Sequence, residues 1–169
     1  MNLTDLVRAV VDQVRPENID PAAITVTSEG PEVEIVILAH RDLDGVSLVA
    51  WTDRRGARLL WAQVSDLSTH DDLDLGVVVE SISAEGDWRP RLRDAIAAEL
   101  RRPIRLRRRT GWFARPRVEC SIVSGDGDRR IGVVSLPRNQ EGSGTEMTTT
   151  LAGGPRPWFS VPPAITHAG

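Results

Sequence analysis

The chain has 169 residues, 40% hydrophobic and 27% charged, with a formal net charge of −3, a size and balance that suit one globular domain with a tail. All 21 basic residues are arginine and tyrosine is absent, which excludes Schiff-base amines, P-loop lysines, Ser-Lys dyads and phenol chemistry, since a guanidinium stays charged and cannot act as a base. The single Cys120 excludes an internal disulfide and fits a reducing compartment.

The N-terminal stretch Met1-Asn2-Leu3-Thr4-Asp5 carries no signal core. The longest uncharged apolar run, Ile35 to Ala39, is far too short for a membrane span. A cytosolic location with no membrane partner is therefore expected.

The first expected element is a helix, because Leu3, Leu6, Val7, Val10, Val11 and Val14 recur at helical spacing. Asn2 or Thr4 can cap its start, and Pro16 stops it at Arg15. Ala23–Thr27 reads as a short strand. Over Glu32–His40, Val33, Ile35, Ile37 and Ala39 alternate with Glu34, Val36, Leu38 and His40, as a strand requires. Asp42-Leu43-Asp44-Gly45 and Asp53-Arg54-Arg55-Gly56 read as turns between this strand, Val46–Thr52 and Ala57–Val64, giving an antiparallel meander. Val36, Leu38, Val49, Trp51, Leu59 and Trp61 are grouped as a second, partly apolar face that needs a helix or partner to cover it.

Ser65–Leu75 is polar and acidic, and Gly76–Ser83 is the next expected strand. Asp87 caps a second helix to about Arg102, with the stripe Trp88, Leu92, Ala95, Ile96 and Leu100. Three strands follow, Ile104–Arg109, Arg117–Val123 and Arg130–Leu136. The turns between them are Thr110–Ala114 and Ser124-Gly125-Asp126-Gly127-Asp128. The order of helix, strands, helix, strands implies an α+β domain over residues 1–136, an antiparallel sheet with two packed helices. Residues 137–169 hold five Pro, five Gly and a threonine run, and are expected to be a tail. Within it Trp158 and Phe159 are the candidates for docking on this domain or a neighbour.

Charge is distributed unevenly along this order. Residues 1–88 hold six arginines and seventeen acids, a net of −11, while residues 89–117 hold eleven arginines against Asp94 and Glu99, a net of +9. Ile104 and Leu106 alternate with Arg105, Arg107 and Arg109, so two apolar side chains are expected toward the core and three guanidiniums on the opposite face of a strand. Across the expected hairpin Val118, Cys120 and Ile122 point inward and Arg117 and Glu119 outward. Arg101, Arg102 and Arg115 extend the positive face, with Trp112 and Phe113 at the hairpin tip.

Three readings of this face follow. Arginine and tryptophan are enriched at protein interface hot spots, so an acidic protein surface, or the acidic half of another copy, is the expected partner. Nucleic acid is the alternative, through phosphate contacts and base stacking on the tip aromatics. In the third, the arginines simply pair within the molecule, with Glu32, Glu34 or the acidic loop. A further alternative, a metal-dependent hydrolase, rests on Asp66, His70, Asp71, Asp72 and Asp74 with Glu80. Their spacing matches neither a calcium loop nor a zinc motif. No cofactor is implied. The reading that follows is a non-enzymatic binding or assembly protein.

Overall fold

The computed structural model describes residues 2–29, 32–64, 76–109, 117–135 and 146–153, and their side chains except at 23, 29, 109, 135 and 147. The protein is α+β, with two helices and two antiparallel sheets. Helix α1 spans Leu3–Val14 and helix α2 spans Trp88–Leu100. Strands β1 (Thr25–Glu29), β2 (Val33–Ala39), β3 (Val46–Asp53), β4 (Gly56–Gln63) and β5 (Val77–Ser83) form a meander in sequence order. Strands β6 (Ile104–Arg109), β7 (Arg117–Ser124), β8 (Gly127–Ser135) and β9 (Glu146–Thr149) form a second sheet ordered β8-β7-β6-β9.

The helix ends follow local chemistry. The Asn2 side chain accepts from the Asp5 N–H at 2.7 Å, and Arg15 closes α1 in a left-handed conformation with φ 51° just before Pro16. Glu34 reaches from β2 to the same helix start, accepting from the Leu3 and Thr4 N–H groups at 2.9 Å each. A carboxylate at a helix N-terminus is favoured by the aligned peptide dipoles. Asp87 caps α2 through the Arg89 N–H at 3.2 Å. The β3–β4 turn closes on Gly56, at φ 135°, where a side chain would collide with the Ile82 carbonyl of β5.

One core joins most of the molecule. The α1 residues Leu6, Val7 and Val10 and the α2 residues Leu92, Ile96 and Leu100 lie against Val36, Leu38, Leu48, Leu59 and Trp61 of the larger sheet. The inward residues of the smaller sheet, Ile104, Leu106, Val118, Cys120 and Ile122, belong to the same cluster. At the junction of the sheets the Gln63 amide pairs with the β8 backbone, donating to the Val133 carbonyl at 2.8 Å and accepting from its N–H at 3.0 Å.

The register corrects the grouping expected for the larger sheet. Val49 lies opposite Ile37 and Trp51 opposite Ile35, so both belong with Ile35 and Ile37 rather than with Val36 and Leu38. Ile35, Ile37, Val49, Leu60 and Ala62 form a separate buried cluster on that second face, packed by Val33, Trp51 and Val64. A one-residue difference in pairing sends a side chain to the other face, and only the register decides it.

Residues 146–153, assigned above to the tail by composition, are part of the fold. β9 adds to β6, Leu151 is fully buried, and the Ala152 N–H donates to the Leu100 carbonyl at 2.7 Å. Asn18 clasps this stretch, with its amide donating to the Thr150 carbonyl at 2.6 Å and to Thr149 Oγ1 at 3.2 Å. No described helix is long and apolar enough to cross a membrane.

Candidate functional site

The arginine strand β6 lies in the middle of the smaller sheet, between β7 and β9. Ile104 and Leu106 are buried, and the alternation places Arg105 and Arg107 on the other face, while the Arg109 side chain lies outside the described ones. Arg108 shares the inward side at the strand end, opposite the buried Val118.

The outward arginines are embedded among carboxylates. Arg105 pairs with Asp128 at 2.5 Å and with Glu146 at 3.0 Å. Arg107 faces the same two acids, at 3.4 Å from Glu146 and 3.8 Å from Asp128. Arg105 is 30% exposed and Arg107 54%. The acids expected for internal pairing are engaged elsewhere, Glu32 with Arg54 and Glu34 with the start of α1. Asp128 and Glu146 are brought in by β8 and β9, the latter from the stretch assigned to the tail.

Arg105 lies opposite Ser121 and Arg107 opposite Glu119, but Arg109 lies opposite Arg117. Among the described residues the β9 register ends at the Arg107–Glu146 pair. Arg117 is exposed, and its β8 register partner is Ser135. Trp112, Phe113 and Arg115, expected beside it, lie outside the described residues, as do Trp158 and Phe159.

Arg101 and Arg102 are engaged at the end of α2. Arg101 closes α2, its guanidinium donating to the Ala97 carbonyl at 2.7 Å, where the helix dipole favours a cation. Arg102 grips the Glu99 carboxylate, with Nε at 2.8 and 2.6 Å from its two oxygens, and donates to the Val123 carbonyl of β7 at 3.2 Å. Glu99 is only 4% exposed and also accepts from Trp61 Nε1 at 2.9 Å. This chain of contacts ties β4, α2 and β7 together, and the hydrogen bond to Glu99 holds the Arg102 proton more firmly than usual. Its sequence signal is an acid on an apolar helix stripe, since Glu99 falls four residues after Ala95 and seven after Leu92.

Two titratable groups are buried without being assembled into a reactive site. The Cys120 thiol is pushed up to about 12, by burial first and by the nearby Glu119 charge second, so the nucleophilic thiolate is suppressed. His40 is held down to about 4, mainly by burial, against an opposing pull from Asp42. Its Nδ1 accepts from the Asp42 N–H at 3.1 Å, and its Nε2 has no hydrogen-bond partner among the described residues.

Asp66, His70, Asp71, Asp72 and Asp74 lie outside the described residues, and Glu80 pairs with Arg91 at 3.1 Å. Among the described residues no three His, Cys, Asp or Glu side chains gather where a metal would be held. Asp126 and Asp128 serve the β7–β8 turn and its sheet, Asp126 pairing with Arg129 at 3.0 Å. An open hollow of about 290 Å³ is lined by Asp53, Arg55, Arg58, Val78, Ser81 and Ser83, with no imidazole, thiol or carboxylate pair.

The chain matches no protein-family model, no curated protein and no solved structure.

Proposed function

We propose that this chain is a non-enzymatic cytosolic binding or assembly protein. Its smaller sheet would meet an acidic protein surface, on a partner or on a second copy, at the Arg107, Arg109 and Arg117 end of the β6–β7 ladder. One observation carries this reading: the register sets Arg109 opposite Arg117, with no acid paired to either among the described residues, while Arg105 and Arg107 are matched by Asp128 and Glu146. Like charges set opposite across strands disfavour each other, so an acidic surface would suit this register, and planar guanidiniums bind carboxylates in bidentate fashion. The carboxylates of Glu119, Asp128 and Glu146 on the same sheet favour a patterned protein surface over a continuous polyanion.

The test uses the full chain and a variant carrying Arg107→Ser, Arg109→Ser and Arg117→Ser. Light scattering at low and high salt reports self-association, and fluorescein-labelled poly-glutamate serves as the acidic probe. The expected result is salt-sensitive association, or probe binding, that the variant loses. If the parent chain stays a monomer at both salts and binds the probe no better than the variant, the reading fails. A nuclease-sensitive excess of absorbance at 260 nm would replace it with nucleic-acid binding, whose affinity falls steeply with salt.

A further inference from the structure

The edges of the two sheets differ in how they are guarded. Among the described residues β1 pairs only with β2, β5 only with β4, β8 only with β7 and β9 only with β6. An edge strand presents backbone N–H and C=O groups that a further strand can use, and charged side chains are a common guard against it. β5 carries Glu80, β8 carries Asp128, Arg129 and Arg130, and β9 carries Glu146. The β1 edge over residues 24–28, Ile-Thr-Val-Thr-Ser, carries no charge and no proline, and all but the serine are β-branched, which favours strand pairing.

This edge is also open. Thr25, Val26 and Ser28 are exposed. Val26 is 41% exposed, although it lies opposite Val36, which is fully buried in the main core. The helix-side face of the sheet thus ends in an accessible apolar side chain. Val78 of β5 is exposed as well, but it shares its edge with Glu80 and the paired Arg91.

The β1 sequence is suited to meeting itself. When two copies pair antiparallel about a two-fold axis normal to the sheet, each face stays continuous, so residues of like parity meet. Centred on Val26, the pairing sets Val26 against the same residue of the second copy on the helix side, and Thr25 against Thr27 on the other side. Ile24, already extended at φ −67° and ψ 113°, then lies opposite Ser28. The valine pair removes apolar surface from water, the threonines can hydrogen-bond across the strands, and no like charges face each other. Centring on Thr27 instead would set Val26 against Ser28 and forgo the apolar pair.

We propose that two copies of this chain pair antiparallel along β1, centred on Val26, and join their larger sheets into one continuous sheet. The contact uses backbone and apolar groups away from the arginine face, so it persists at high salt, where association through exposed charges weakens. The test is light scattering of the full chain over a concentration series at low and high salt. The expected result is a rise to the mass of two chains at both salts. The rise should be retained when Arg107, Arg109 and Arg117 are replaced by Ser, and lost in Val26→Lys, which sets two like charges opposite each other. Mixing Val26→Lys with Val26→Glu should restore the dimer, because position 26 faces itself. A chain that stays monomeric, a dimer that Val26→Lys leaves intact, or a mixture that fails to pair overturns the proposal. A dimer seen only at low salt and lost in the arginine variant would support the arginine face and overturn this contact. Val26→Cys keeps a small side chain at the position and decides the matter even if Val26→Lys fails to fold. Mild oxidation should give a covalent pair joined at position 26 of both chains, the native Cys120 being buried. Absence of that crosslink overturns the proposal.

Discussion

The two sheets solve the same problem differently. The larger sheet has buried apolar side chains on both faces of β2, β3 and β4, whose central residues are buried almost without interruption. The smaller sheet is buried on one face, where Leu106, Cys120 and Ile122 sit, while its other face carries the arginines and the acids that neutralise them. The difference teaches how to read alternation. Alternation of charge and hydrocarbon, as in Ile104–Arg107, marks a sheet with a solvent face. Apolar residues at both parities, as in Val33–Ala39, mark one that is covered twice.

The largest expected effect comes from the contact that joins the sheets. Glu99→Ala leaves the Arg102 charge and Trp61 Nε1 without their shared partner, and should cost about 3–5 kcal/mol, measured by denaturant unfolding. A red shift of Trp61 emission in the folded variant would place the loss at this junction. A cost within experimental error would mean that the sheets are held by apolar packing alone.

The next prediction asks whether the second face is a true core. Ile37→Ala and Ile122→Ala should each cost about 2–5 kcal/mol, because both side chains are buried, one in each cluster. If Ile37→Ala is nearly neutral while Ile122→Ala is not, the larger sheet is effectively one-sided and the contrast drawn above collapses.

His40 gives a pH signature tied to the larger sheet. In the unfolded chain it takes a proton near its ordinary value, but in the folded chain only near 4. The unfolded state therefore binds more protons between these values, and stability falls as pH drops from about 6.5 to 4, by on the order of 3 kcal/mol. His40→Gln should flatten that part of the pH–stability curve. An unchanged slope would assign it to carboxylates instead.

The smallest effect is expected on the arginine face. Arg107→Ser removes ion pairs on a half-exposed side chain, and should change stability by about 0–1 kcal/mol, as thermal unfolding would show. A larger loss would indicate that the arginine ladder is chiefly a structural brace.

Much of this was legible from residues close in sequence. Periodicity located both helices, because side chains three and four apart share a helix face. Turn residues marked the hairpins, and the alternation of Ile104–Arg109 predicted which arginines face outward. The misassignments have a common cause. Arg102 was expected on the binding face, but Glu99 of α2, itself held by Trp61, and the Val123 carbonyl of β7 engage it. Val49 and Trp51 were placed on the wrong side of the sheet, since the register against β2 is not encoded within β3 itself.

The sequence alone determined the class of the fold and the existence of a concentrated arginine strand, since both depend on local spacing and composition. Only the tertiary structure decided how the strands divide into two sheets, which acids meet Arg105 and Arg107, and that residues 146–153 belong to the fold. Those outcomes depend on pairs far apart along the chain, such as Asn18 with Thr149, 131 residues away. Such pairs form only after the intervening chain has packed, and no local pattern announces them.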